Sequence, residues 1–254
     1  MIRFYNCFEY FFAEKTLRGS GIRFIDIPLL TVYHSFTMKT KVISFDADGT
    51  VVNSNYVNKF WFQELPKAYA EKKEIEFEEA REELVELYDE IGDEDIRWYR
   101  PEYWFDRFDL EPEPQEVIER IREPENVEFY PDALEVIDKF KDDYVLIVTS
   151  NSPRTFLDYA LKELGESFDA VYSCVSDFGE VKKDESVYRR VTELLDVRGE
   201  EIVHVGDHWR FDYKAPRKIG IETFYINRDG KDGKEDEDGV IEDMREMIER
   251  VDGK

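Results

Sequence analysis

The sequence predicts a three-layer α/β fold, a parallel sheet with helices on both faces, interrupted by an inserted all-helical domain. Two observations predict it. From Lys41 onwards, short apolar runs of strand length alternate with segments of helical periodicity, the pattern that is typical of a covered parallel sheet. Between the first two runs, at residues 54–127, helical patterns follow one another and no strand is evident.

The strands and the helices that cover them are predicted from residue spacing. Three segments between the apolar runs carry apolar residues three and four positions apart, as amphipathic helices do. These helices are predicted at residues 132–141, 155–164 and 186–195. The strands are predicted at residues 42–45, 144–148, 170–172, 202–205 and 223–226.

The helical insertion is predicted to follow the first strand. It places leucines and aromatic residues on one helix face and glutamates on the other. Its helices are predicted at residues 56–73, 77–91 and 114–122. Prolines, ending with Pro124, mark its exit. We therefore expect a core formed by residues 38–53 and 128–254, with a helical cap at residues 54–127.

Composition excludes several classes of function. The chain has 254 residues, 42% of them hydrophobic, enough for one large domain or a core with a smaller insertion. Its formal net charge of −25 would repel a phosphate backbone, so we expect no nucleic-acid partner. We expect no membrane partner either, because no apolar run is long enough to span a bilayer. Cys7 and Cys174 lie far apart, which fits a reducing cytoplasm better than a disulfide framework.

The first 37 residues differ in composition from the rest. They carry a net charge of +1, against −26 for the remaining residues, and nine of them are aromatic. Glu9 and Lys15 interrupt the apolar stretch, which argues against a secretory signal. A start at Met38 would lead directly into the first strand. We expect residues 1–37 to be an artefact of the assigned start or a loosely attached arm; an extra strand or dimer contact at residues 22–33 is the alternative.

The first predicted strand ends in a sequence that favours catalysis. Asp46 and Asp48, followed by Gly49 and Thr50, come directly after the apolar run. Ligands of open α/β sheets bind beyond the carboxyl ends of the strands, so both carboxylates would project into that crevice. Gly49 would permit a tight turn. An ordinary Asp-Gly turn after a core strand is the alternative interpretation.

Three later features also follow predicted strands. They are the segment Thr149-Ser150-Asn151, the pair Lys182-Lys183, and Asp207 with Asp212. The first offers hydroxyl, amide and backbone N–H groups where a helix begins, which suits a phosphate group. Each feature alone would be an ordinary helix cap, solvated loop or turn. Four such features in this order disfavour a purely structural explanation.

With these features the sequence resembles the haloacid dehalogenase superfamily, whose motifs are Asp-x-Asp-Gly-Thr, a Thr or Ser, a Lys, and Gly-Asp followed by another acid. The resemblance runs from Lys39 to about Arg228 and includes the place where the helical cap is inserted. Both prolines of the family's lysine motif are absent here, and Phe211 stands where Asn is frequent. The resemblance implies a Rossmann-like core with a helical cap, and hydrolase activity.

The resemblance also implies a role for each motif residue. Asp46 is the nucleophile, Asp48 the acid/base, Thr149 the phosphate-binding hydroxyl and Lys182 the amine that balances phosphate charge. This assignment agrees with elementary chemistry, because a phosphomonoester dianion repels a carboxylate nucleophile until cations neutralise the transferring oxygens. Asp46 would form an aspartyl-phosphate, and Asp48 would protonate the departing alkoxide and then activate water.

A metal site and further phosphate contacts follow from the same resemblance. Asp46 and Asp207, with the backbone carbonyl of Asp48 and water, form the oxygen-rich set that Mg²⁺ prefers. Asp212 would orient a metal-bound water or Lys182. The expected phosphate-binding residues are Thr149, Ser150, Asn151 and Lys182.

The cap is expected to select the substrate, because it would close over the crevice. Arg97, Trp98 and Arg100 lie in its most aromatic stretch, where an arginine could contact an anionic or hydroxylated leaving group. Packing between helices is the alternative role of that stretch. Tyr56 and Trp61, just past the first motif, are weaker candidates for the same wall.

The sequence therefore predicts a Mg²⁺-dependent phosphatase that acts on a small phosphomonoester, as a monomer or homodimer. A 2-haloacid dehalogenase and a phosphosugar mutase are the enzymatic alternatives. Asp48 argues against the dehalogenase, because that subgroup usually lacks a carboxylate two residues after the nucleophile. A non-catalytic module that binds a phosphorylated metabolite is a third alternative, but no motif acid is missing.

Overall fold

Six parallel strands form one sheet in the spatial order β3-β2-β1-β4-β5-β6. The strands are β1 Val42–Phe45, β2 Val145–Ser150, β3 Ala170–Ser173, β4 Ile202–Gly206, β5 Glu222–Ile226 and β6 Val240–Ile241. The four residues of β1 are buried and pair with strands on both sides. The predicted parallel sheet is confirmed.

This computed structural model describes residues 42–230, 233–234 and 237–252, which belong to one compact unit, Lys39–Lys254. The prediction for residues 1–37 lies outside the described residues. In the described part of the chain, no helix is both long and apolar enough to cross a membrane.

Helices cover the two faces of the sheet because successive strand residues point to opposite sides. The helices of the core are α6 Pro131–Phe140, α7 Arg154–Ala160, α8 Glu185–Leu195, α9 Ala215–Arg217 and α10 Glu246–Asp252. Ile43 and Phe45 of β1 pack in the same core as α6, α7 and α10, whereas Val42 packs with α8. The three-layer architecture is confirmed.

The insertion between β1 and β2 is helical, as predicted. Its helices are α1 Asn55–Lys59, α2 Leu65–Lys73, α3 Phe77–Ile91, α4 Pro101–Phe108 and α5 Pro114–Ile121. A wide helical turn, Phe60–Glu64, joins α1 to α2 without a break. Their apolar faces pack around large buried aromatic residues, among them Phe60 and Trp104.

Backbone pairing at the base of the insertion supports its predicted limits. The backbone N–H of Asn53 donates to the oxygen of Glu128 (2.7 Å), and that of Tyr130 donates to the oxygen of Val51 (3.0 Å). The entering and leaving chains therefore run side by side. On this basis we propose that the cap spans residues 54–127.

The elements that were not predicted include helix α4 and strand β6. Helix α4 begins at Pro101, a favoured first residue, and carries Trp104, Phe105 and Phe108 at helical spacing, a pattern that the density of aromatics obscured. Strand β6 has two residues and pairs with the end of β5, which is too short a run to produce a periodic pattern.

Arg228 ties the chain after β5 to the turn that follows β1. Its guanidinium donates to the backbone oxygens of Gly49 (3.4 Å) and Thr50 (2.9 Å), and to Asp132 Oδ2 (2.8 Å) at the start of α6. The backbone N–H of Met244 donates to the same carboxylate (2.7 Å). Burial raises the pKa of Asp132, but these hydrogen bonds and the charge of Arg228 outweigh burial and hold the pKa below its ordinary value.

We predict that Asp132→Asn lowers the free energy of unfolding by about 2 kcal/mol at neutral pH, because a charge-assisted hydrogen bond is lost. The folded-state pKa is depressed, so the carboxylate stabilises the fold above its unfolded-state pKa. That contribution disappears as the pH falls through the folded-state pKa. Urea unfolding of both proteins should therefore show a difference that shrinks in acid. Asp138→Asn is the control. Asp138 also lies on α6, and its exposed ion pair with Lys141 should contribute little, so this substitution should change the free energy of unfolding little.

Candidate active site

The carboxyl ends of β1, β2 and β4 meet at one edge of the sheet and bring the four sequence features together. They form the floor of a cavity of about 280 Å³. The core residues that line it are Asp46, Asp48, Ser150, Asn151, Ser152, Pro153, Phe156, Lys182, Asp207, His208 and Phe211. A space of this size suits a small molecule.

Lys182 is buried at the centre of this floor. Its ammonium lies 2.7 Å from Asp46 Oδ1 and 2.7 Å from Asp212 Oδ1, and it donates to the backbone oxygen of Thr149 (3.1 Å). Burial lowers its pKa, but the charges of Asp212 and Asp46 outweigh burial and raise the pKa above its ordinary value. The lysine therefore stays charged. Its backbone N–H donates to Asn151 Oδ1 (3.0 Å), which links two of the predicted motifs.

Asp212 is held from both sides within the core. His204 Nε2 lies 3.0 Å from Asp212 Oδ1, and the backbone N–H of His208 donates to Oδ2 (2.9 Å). Burial raises the pKa of Asp212, but the charge of Lys182 and the hydrogen bond from His204 outweigh burial and lower it. The carboxylate accepts a hydrogen bond from the ammonium of Lys182 and does not line the cavity described above.

The carboxylates near Lys182 carry more negative charge than the lysine offsets. Oxygens of Asp46, Asp207 and Asp212 lie within 4.8 Å of one another. Asp207 as a whole residue is exposed, but desolvation of its carboxylate, followed by the charges of Asp46 and Asp212, raises its pKa well above the ordinary value. Burial also raises the pKa of Asp46, although Lys182 opposes this shift. An all-oxygen set with excess negative charge fits a hard divalent cation such as Mg²⁺.

Asp48 has the properties of a proton donor at neutral pH. Burial, and then the charge of Asp46, raises its pKa to about 7. A carboxyl with a pKa near the working pH can both give and accept a proton.

Thr149 does not line the cavity, contrary to the sequence prediction. Its side chain is fully buried, and its hydroxyl accepts a hydrogen bond from Ser44 (3.1 Å) inside the sheet. Ser150, the next residue of β2, points the other way and lines the cavity with Asn151. The reason is the alternation of side chains along a strand.

The cap contributes an aromatic wall. Trp61, Phe62, Trp98 and Tyr99 line the cavity, and the rings of Trp61 and Trp98 lie 5.8 Å apart. Tyr99 also accepts a hydrogen bond from Asn151 Nδ2 (3.3 Å), which joins the cap to the core. The structure places Trp98 and Trp61 in the cavity wall, and their role in substrate selection stays a prediction.

Three other cap candidates do not reach the cavity. Tyr56 is fully buried and packs its ring against Tyr159 (5.5 Å). Arg97 pairs with Asp95, its near neighbour in the chain, at 2.7 Å. Arg100 is exposed, and neither arginine lines the cavity. The ion pair with Asp95 holds Arg97 outside the cavity, and the sequence did not reveal this pair.

Asp93, Phe62 and Phe156 line the cavity although sequence reasoning did not single them out. Phe156 lies in the first turn of α7, directly after the second motif, and that position could have identified it. Asp93 follows Gly92, where α3 ends with a positive φ of 74°. This pattern marks a turn but does not indicate where the next side chain points.

Comparison with known proteins adds a family and several relatives. A family of haloacid dehalogenase-like hydrolases matches residues 40–220. A glyceraldehyde 3-phosphate phosphatase of Pyrococcus furiosus is similar to this chain, with 26% identity over 227 residues, covering 83% of this chain and 92% of the relative.

Solved structures show the same fold. A HAD phosphatase from Thermococcus onnurineus superposes with a TM-score of 0.73 and 25% identity, covering 84% of this chain and 98% of that one. A 2-haloacid dehalogenase from Pseudomonas syringae superposes with a TM-score of 0.60 and 18% identity, covering 84% and 98%. The second likeness concerns the fold alone.

Gly49 is required where the chain passes Asp207. Its φ is +79°, and a Cβ atom there would collide with the Asp207 carboxylate. We predict that Gly49→Ala displaces this carboxylate and weakens the binding of Mn²⁺, a spectroscopic substitute for Mg²⁺, by about tenfold or more. Gly233→Ala is the control, because its φ is +72° and nothing lies within 4 Å of the added Cβ. Electron paramagnetic resonance titration of both variants would test this, and equal Mn²⁺ affinities would contradict it.

Proposed function

This chain belongs to the haloacid dehalogenase-like hydrolase family, and on that premise we propose that it is a Mg²⁺-dependent phosphatase acting on a small phosphorylated metabolite. The observation that carries the proposal is the position of Asp46 and Asp48, side by side in the cavity above a buried, charged Lys182. The phosphatase name of the Pyrococcus furiosus relative supports the same reaction.

In the proposed reaction, a carboxylate oxygen of Asp46 attacks phosphorus and forms an aspartyl-phosphate as the bond to the leaving oxygen breaks. Lys182 holds the other oxygen of Asp46 in place and offsets negative charge on the phosphoryl group. Bound Mg²⁺, held by Asp46 and Asp207, would supply further positive charge. Asp48 gives its proton to the departing alkoxide and then accepts one from the water that cleaves the aspartyl-phosphate.

Phosphate oxygens would be bound at the end of β2. We assign the phosphate hydroxyl to Ser150, which lines the cavity, in place of Thr149. Ser150 Oγ accepts a hydrogen bond from the backbone N–H of Ser152 (3.2 Å), so its own proton is available for a phosphate oxygen. Asn151 follows Ser150 in the chain, and its side-chain oxygen accepts a hydrogen bond from the backbone N–H of Lys182.

The proposal extends to the cellular setting. We place the enzyme in the cytoplasm, with a small phosphomonoester as its partner and a monomer or homodimer as its assembly. Cys174, the free cysteine of the described chain, is buried.

The mechanism is tested by the nucleophile and the metal together. We expect Asp46→Asn to remove turnover of para-nitrophenyl phosphate and glyceraldehyde 3-phosphate while the melting temperature stays within a few degrees, since an amide cannot form the aspartyl-phosphate. We expect EDTA to abolish wild-type turnover and added Mg²⁺ to restore it. Activity of Asp46→Asn within about tenfold of wild type would contradict the mechanism. Halide release from 2-chloropropionate without metal would favour the dehalogenase instead.

The assignment of the phosphate hydroxyl is tested by adjacent substitutions in β2. We expect Ser150→Ala to lower kcat/KM for para-nitrophenyl phosphate by about 30-fold, the usual result of losing a charge-assisted hydrogen bond. Thr149→Val removes the hydroxyl that bonds Ser44, so it should lower the free energy of unfolding by about 1 kcal/mol and leave kcat/KM within about threefold. Steady-state kinetics and urea unfolding of both variants decide the matter, and the reverse pattern would return the role to Thr149.

A further inference from the structure

Resting on the phosphatase proposed above, we infer that the leaving group of its substrate carries no second negative charge, because Asp93 in the cap wall of the cavity rejects one. The discrimination is electrostatic. It depends on which charges face the part of the cavity where the leaving group lies, and on whether any cation there could pair with an anion.

The cavity has few cations. Among the described residues that line it, the acids are Asp46, Asp48, Asp93 and Asp207. Lys182 is the only lysine or arginine among those residues, and its ammonium is already shared between Asp46 and Asp212. The phosphoryl group, which is itself a dianion, would occupy that end of the cavity. An additional carboxylate or phosphate on the leaving group would therefore find no further lysine or arginine among the described lining residues to pair with.

Asp93 contacts a histidine ring and is not paired with a lysine or arginine in the described part of the chain. Its Oδ2 lies 3.1 Å from His208 Nε2, and the backbone N–H of Phe211 donates to His208 Nδ1 (3.2 Å). Because Nδ1 accepts, Nε2 is the ring nitrogen that donates to the Asp93 carboxylate.

The surroundings of Asp93 set the size of the effect. The neighbouring wall is apolar, with Trp61, Phe62, Trp98 and Phe156, and an apolar wall strengthens the repulsion between two negative charges. The side chain of Asp93 is 47% exposed, so water and salt screen part of its field. We therefore expect a discrimination of about tenfold, well below that of a fully buried charge.

The two cap arginines do not alter this balance. Arg97 is engaged with Asp95, and Arg100 is exposed, so neither supplies a cation to the cavity. The sequence had suggested that one of them contacts an anionic leaving group. The structure assigns the opposite preference to the cap.

The experiment compares phosphate esters of similar size whose leaving groups differ by one negative charge. One pair is the phosphate monoesters of 3-(4-hydroxyphenyl)propionamide and 3-(4-hydroxyphenyl)propionate, whose phenols leave almost equally well. A smaller pair, glycerol 3-phosphate and 3-phosphoglycerate, makes the same comparison if the aryl esters are too large to be turned over. We expect wild-type kcat/KM to be about tenfold or more higher for the uncharged member of the pair.

The variant is Asp93→Asn, which keeps an oxygen to accept the hydrogen bond from His208 while removing the charge. It should raise kcat/KM for the anionic ester by about tenfold and leave that for the uncharged ester unchanged within about twofold. Asp89→Asn removes the same charge from an exposed position near the end of α3, outside the cavity. This control should keep the wild-type ratio, since exposed charges are screened.

The outcomes separate this inference from the proposed function. Equal wild-type kcat/KM values for the two members of a pair, or equal losses on both in Asp93→Asn, would overturn the inference while phosphatase activity stands. A selective loss on the anionic ester in Arg97→Ala or Arg100→Ala would overturn it in favour of the arginines. Failure to hydrolyse any ester, para-nitrophenyl phosphate included, would instead reject the phosphatase.

Discussion

The site depends on one buried charge, the ammonium of Lys182. Moving an unpaired ammonium out of water costs several kcal/mol, so its position is stable only while the acceptors around it are in place. Those acceptors, Asp46, Asp212 and the backbone oxygen of Thr149, come from the ends of β1 and β2 and the turn after β4. The register of three parallel strands therefore determines where the ammonium lies, and the ammonium in turn fixes one oxygen of Asp46.

Polar groups inside the sheet brace this arrangement from below. His204 of β4 contacts Asp212 on one side and Ser44 Oγ on the other (2.8 Å), and Ser44 donates to Thr149. Tyr188 of α8 donates to the backbone oxygen of Phe211 (2.8 Å) and contacts the same histidine. A buried polar network of this kind is stabilising when its members are paired, and it restricts the side chains to one arrangement. The side chains of the floor lie at the strand ends and in the loops that follow them, and this network within the strands and α8 holds them in place from below.

The cap and the core contribute different chemistry to the same cavity. The core supplies the lysine and most of the carboxylates, while the cap supplies most of the aromatic wall and one carboxylate, Asp93. The loop that holds Asp93 is joined to the core at several points. Lys183 donates to the backbone oxygen of Glu94 (3.0 Å), and the carboxylate of Glu94 pairs with Arg210. These contacts place the acidic residue against the core where a leaving group would lie.

The sequence by itself determined the sheet, the helical insertion and the residues at the strand ends, because strand periodicity and parallel connection bring the carboxyl ends of the strands to one edge. Tertiary structure alone decided which neighbouring side chains face the cavity. Thr149 and Ser150 both carry a hydroxyl group. Only the twist and pairing of β2 direct the Thr149 hydroxyl into the sheet and the Ser150 hydroxyl into the cavity. From the sequence, Arg97 was a plausible contact for the leaving group. In the structure its ion pair with Asp95, two residues earlier in the chain, holds it outside the cavity. The direction of a side chain depends on the backbone conformation and on the contacts that form in the folded chain, near or distant in sequence, and composition and spacing do not specify these.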